Sequence, residues 1–64
     1  MLRKGNFLYF RGQETERVTE DGNRLRKDRW YFEPVDWDSK YAYGPAFLTL
    51  REAIAYIEEL EKVM

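Results

Sequence analysis

The sequence predicts an α+β domain: a three-stranded antiparallel meander sheet packed on one face by a C-terminal amphipathic helix, in the order β-β-β-α. Three observations lead there. Thr49-x-x-Glu52 opens a stretch whose apolar residues recur every three and four positions, which is the mark of a helix with one buried stripe. Three upstream runs are rich in aromatic and β-branched residues, and Asp21-Gly22-Asn23 supplies a tight reversal after the first of them. With 64 residues there is room for one domain, 1–64, so the elements must be joined by short connections and lie side by side.

The first strand falls in Asn6–Gly12, where Phe7, Leu8, Tyr9 and Phe10 stand between Gly5 and Gly12. Glu14–Thr19 alternates charged with β-branched or polar residues and leaves two arrangements open: a continuation past a bulge at Gly12, or a separate edge strand. Gly22 after Asp21 accepts the positive φ of a tight turn, so the chain reverses there. The second strand covers Arg24–Glu33. One of its faces carries Arg24, Arg26, Asp28, Trp30 and Phe32, the other Leu25, Lys27, Arg29, Tyr31 and Glu33. The half near the turn is polar on both faces and should project into water, while Trp30 and Phe32 reach the core. Pro34 ends this strand by removing a ladder donor, and a loop holding Trp37 between two carboxylates runs on to Lys40. Tyr41–Leu48 reads as the third strand, placed at an edge or bulged because Pro45 lies inside it. The sheet then occupies about residues 6–48 and the helix about 50–62.

In that helix Thr49 and Glu52 form a capping box, and Leu50, Ala53, Ile54, Ile57, Leu60 and Met64 share the stripe that faces the core. Arg51, Glu52, Glu58, Glu59 and Lys62 fall on the opposite side, with Glu58 and Lys62 in the favourable i,i+4 order. An outer face this acidic does not suit a membrane-surface helix, which carries Lys and Arg there.

A chain of this length buries only about 60% of the surface that its unfolded form exposes. The 17% aromatic content compensates, because each ring can bury ~150–250 Å². There is no cysteine and no histidine, so disulfides, Cys/His metal sites and the usual acid, base and thiol nucleophile are excluded, and Ser39 is the single serine. The expectation is a non-enzymatic protein without cofactor or metal. Glu33, Asp36 and Asp38 supply hard oxygen ligands, but their spacing lacks the EF-hand pattern, and an acidic turn around a docking Trp is the better reading. The start Met-Leu-Arg-Lys is followed by Gly5 and Asn6 rather than an apolar run, and no stretch approaches a membrane span, which together point to a soluble, cytoplasmic protein.

What remains is binding, and charge is placed unevenly for it: residues 1–32 carry a balance of +3 and residues 33–64 one of −4. A protein partner, or a second copy in a homodimer, would meet an aromatic and arginine-bearing sheet face built on Tyr9, Arg29, Tyr31, Trp37 and Tyr43. Trp37, Tyr41, Tyr43 and Tyr56 together exceed the aromatic surface that one helix can cover, and Tyr, Trp and Arg are the residues that anchor interfaces. The alternative is nucleic acid, with Arg11, Arg24, Arg26, Lys27 and Arg29 on phosphates and the neighbouring rings stacking on bases. A net charge of −1 gives no general attraction to phosphate, which puts the protein partner first. A DNA-mimicking inhibitor using Asp36, Asp38, Glu52, Glu58, Glu59 and Glu61 is a special case of it, and the class is that of small accessory or inhibitor proteins.

Phe47-x-Thr49-x-x-Glu52-Ala53, preceded by Gly44 and by a strand holding Arg29-Trp30, resembles the strand-to-helix junction of integrase arm-binding domains. Those are three-stranded sheets backed by a helix that lay the sheet in the DNA major groove. The resemblance covers barely a fifth of the chain and implies the architecture.

Overall fold

The computed structural model describes residues 1–63 and carries the expected α+β fold. Its antiparallel sheet has the order β1(Leu2–Lys4), β2(Phe7–Arg11), β3(Trp30–Pro34), and the helix α1(Leu50–Val63) packs on it. Met64, the last residue of the predicted stripe, lies outside the described residues.

β1 was not anticipated. It pairs with β2 through Leu2–Tyr9, Arg3–Leu8 and Lys4–Phe7, so that Gly5 and Asn6 make a two-residue hairpin loop. Gly5 takes φ +63° at the first central position, as such loops require. β2 then pairs with β3 from Phe7–Pro34 to Arg11–Trp30. The sheet therefore spans residues 2–34, with one bridge to Phe47, rather than 6–48.

The expected third strand, Tyr41–Leu48, does not form. It is an irregular segment that forms backbone bridges at two points: Tyr41 bridges Val18 in parallel fashion, and Phe47 exchanges both backbone hydrogen bonds with Trp30 at 2.7 and 2.8 Å. Between them Gly44 takes φ +77° and Pro45 offers no amide, so no ladder can run through. Three strands are nevertheless present because β1 takes the place of this one.

The expected strand Arg24–Glu33 shortens to Trp30–Pro34. Arg24–Arg29 is a loop folded under the sheet, where the Arg26 amide donates to the Tyr31 hydroxyl at 3.1 Å and the Arg29 amide to the Arg26 carbonyl at 3.3 Å. The Arg26 carbonyl lies so close over buried Gly12 that a Cβ there would collide with it. Neither arrangement considered for Glu14–Thr19 is adopted: a 3₁₀ turn, Gly12–Glu14, ends the strand, and Val18 then bridges Arg24 and Tyr41. The reversal at Asp21-Gly22-Asn23 is present, with Gly22 at φ +83° and the Thr19 amide donating to the Asn23 carbonyl at 2.8 Å.

Strands β2 and β3 are consequently buried on both faces, while β1 is exposed. On the helix side Tyr9 and Phe32 pack with Ala53 and Ile57, flanked by Phe7, Trp30, Phe47, Leu50 and Ile54. On the other, Phe10, Tyr31 and Leu25 form a second cluster closed by Ala42. The loop between Gly12 and Arg29 acts as a strap over that second face. At the start of α1 the Glu52 amide donates to Thr49 Oγ1 at 3.1 Å, which is the threonine half of the predicted box. Leu60, assigned to the stripe, is exposed, and Lys62 pairs with Glu59 at 3.6 Å rather than with Glu58.

Candidate functional site

The residues predicted to meet a protein partner divide sharply. Tyr9 is 1% exposed between the sheet and α1, and Tyr31 is buried beneath the strap, stacked on Phe10 at 6.3 Å. Neither can be presented by the folded chain, and the open sheet face that the prediction relied on is covered. Arg29 is half-buried and pairs with Asp28 at 3.0 Å. Trp37 and Tyr43 are brought together.

These two rings meet edge to face with centroids 5.2 Å apart. The indole is locked, because its Nε1 donates to the Tyr41 carbonyl at 3.0 Å and its amide to the Pro34 carbonyl at 3.0 Å. Tyr43 in turn stands edge-on to buried Phe32 at 5.6 Å, and Tyr56 from α1 lies on the same Phe32 ring at 5.7 Å and on Phe47 at 5.2 Å. Phe32 is thus a buried base that carries rings from the 37–43 segment and from the helix. Tyr43 and Tyr56 remain 40% and 39% exposed, and Val35 and Leu48 are exposed as well. Gly44 makes the approach possible, since a Cβ at that position would lie 2.6 Å from Phe32 Cζ.

Charge follows the rings. Asp36 and Asp38 flank Trp37 in sequence and are exposed. Glu52 and Glu59 stand four residues before and three after Tyr56, on the same side of α1, and are also exposed. Glu33, the third member of the imagined cation loop, is instead buried against Arg17, and among the described residues no group of three or more metal-ligating side chains converges.

Of the basic residues predicted to contact nucleic acid, Arg11, Arg24, Arg26 and Lys27 are exposed. Arg24 and Lys27 border a shallow groove of about 660 Å³ between residues 12–18 and 24–27, whose wall also holds Glu16. Arg11 places its guanidinium 5.3 Å from the centre of the Trp30 ring and so occupies the face that a base would need. At the same end the Met1 ammonium donates to Glu14 Oε2 at 2.7 Å and the Arg11 amide to Oε1 at 3.0 Å, contacts that hold the Glu14 carboxyl below the usual carboxylate range. A sheet laid in a DNA groove, as in integrase arm-binding domains, would find β2 and β3 already covered on both faces.

Among the described residues no helix is long and apolar enough to cross a membrane. Compared with family models, with curated proteins and with solved structures, the chain matches none.

Proposed function

We propose that the chain is a small, non-enzymatic accessory or inhibitor protein that docks a protein partner on the aromatic surface of exposed Tyr43 and Tyr56 and half-buried Trp37. The observation that carries this reading is the packing of two part-exposed tyrosines against the buried Phe32 ring, one of them braced by Trp37. Rings held by their neighbours lose little freedom on binding, and Tyr and Trp supply much contact area for few rotatable bonds. A sequence without histidine or cysteine agrees with a non-catalytic role and with a reducing, cytoplasmic setting.

The test is affinity capture from nuclease-treated cell extract with the parent and with a Tyr43→Ser/Tyr56→Ser variant whose fold is checked by circular dichroism. A protein retained by the parent and lost with the variant is the expected result. Equal retention by both would remove the reading.

Nucleic acid is the second reading, favoured by the exposed cations Arg24 and Lys27 beside the groove and by exposed Arg26 between them in the loop. It would operate through phosphates alone, and its affinity would fall steeply with salt.

A further inference from the structure

We infer that the occupant of the aromatic surface is a cationic segment of the partner, with Lys or Arg side chains lying over the Trp37, Tyr43 and Tyr56 rings and against the carboxylates beside them. The inference rests on the docking reading above and adds the chemistry of what docks.

The chain itself shows how its rings are used. Two aromatic faces are capped by its own cations: Trp30 by Arg11 at 5.3 Å and Tyr41 by the Lys40 ammonium at 5.1 Å. Among the described residues no cation lies over Trp37, Tyr43 or Tyr56 in this way. These are the rings beside which the sequence sets Asp36, Asp38, Glu52 and Glu59, with only Lys62 paired to one of the four. A ring face attracts a cation through its quadrupole, and a carboxylate at the rim adds Coulomb attraction for the same cation while repelling an anionic partner. An uncapped aromatic surface with a rim of this sign selects against phosphate and for Lys and Arg. A second copy offering its own exposed Arg24–Lys27 loop would satisfy the same chemistry, and self-association is accordingly one of the outcomes that the test distinguishes.

The experiment uses the intact chain and three short synthetic peptides of one length: alternating Lys and Ala, alternating Glu and Ala, and alternating Ser and Ala. Binding is read from the Trp37 indole resonance and the backbone amides of residues 36–43 and 52–59, with the Trp30 indole as internal control. The Lys peptide should shift these signals and leave Trp30 in place, and Asp36→Asn/Asp38→Asn should weaken it by about fivefold, with a comparable loss on raising salt. Equal occupation of the same residues by the Ser or Glu peptide would overturn the cationic assignment and leave the docking surface standing. Binding of the Lys peptide that is unchanged in the Asn variant would also overturn it. If none of the three touches residues 36–43 and 52–59 while the capture experiment still finds a partner dependent on Tyr43 and Tyr56, the surface stands and its occupant is not cationic. Concentration-dependent shifts of the same residues without peptide would overturn it in favour of a second copy.

Discussion

Arg17 Nε lies 2.7 Å from Glu33 Oε2, and this pair fastens the strap to the sheet. The approach is off the line of a hydrogen bond to that oxygen, so the contact is chiefly Coulombic, while the guanidinium also donates to Glu33 Oε1 at 3.5 Å and to the Trp37 carbonyl at 3.3 Å. One arginine thus joins the strap, β3 and the loop that carries the aromatic surface.

Removing one partner strands the other charge where water barely reaches. Arg17→Ala should cost about 3 kcal/mol, most of what a domain of this size has, whereas Arg17→Met/Glu33→Leu should recover most of the loss. Urea midpoints of the single and double variants decide it. Equal destabilisation by both would show that the pair's charge is not what matters at this position.

Gly44→Ala and Gly22→Ala separate backbone strain from collision. Both glycines have positive φ, but a Cβ at Gly44 meets Phe32 whereas nothing lies within 4 Å of one at Gly22. Gly22→Ala should cost about 1–2 kcal/mol and Gly44→Ala an additional ~1–3 kcal/mol. The second should also shift the Tyr43 and Tyr56 resonances, since their common base is displaced. Similar costs for the two would mean that the Phe32 ring yields freely.

The helix stripe is uneven in what it buries. Ile57 is 2% exposed and Leu60 43%. Ile57→Ala should cost ~2–5 kcal/mol and leave little folded protein, while Leu60→Ala should cost well under half of that. Thermal melts followed by circular dichroism give the comparison. A cooperative transition for Ile57→Ala near that of the parent would sink the core assignment.

Local signals were legible and tertiary ones were not. The capped helix, the reversal at Gly22 and the stop at Pro34 depend on neighbours within a few positions, and each stands where the pattern predicts. β1 has three residues, two of them charged, and exists only because the Gly5-Asn6 turn lays it on β2. The Arg24–Arg29 loop leaves the strand conformation because Gly12, twelve residues back from Arg24, lets the Arg26 carbonyl approach. One signal could have warned that Tyr9 and Tyr31 are core rather than surface. Phe7-Leu8-Tyr9-Phe10 and Trp30-Tyr31-Phe32 are continuous apolar runs, and runs without alternation belong to strands covered on both faces. The sequence singles out Trp37 and Tyr43, but the base that Tyr43 shares with Tyr56 on Phe32 is a long-range contact that no spacing reveals.

Tyr9 links the core to alkaline pH. Burial first, then the nearby charges of Glu61 and Glu58, push its hydroxyl above the ordinary tyrosine value of about 10. The folded chain therefore holds this proton at pH values where the unfolded chain has released it. By linkage, its contribution is fully present below about pH 10 and is lost as pH rises through the raised value, because ionisation then draws the chain toward the unfolded state. Tyr9→Phe removes that proton without removing the ring from between Phe32 and the helix. The stability of Tyr9→Phe relative to the parent should accordingly rise between about pH 9 and about pH 11, measured by urea unfolding at each pH. Glu58→Gln/Glu61→Gln should act in the same direction and shrink the parent's loss of stability at alkaline pH, because it brings the raised value closer to that of the unfolded chain. A stability difference between Tyr9→Phe and the parent that stays constant across that window would mean that Tyr9 ionises as freely in the folded chain as in the unfolded one.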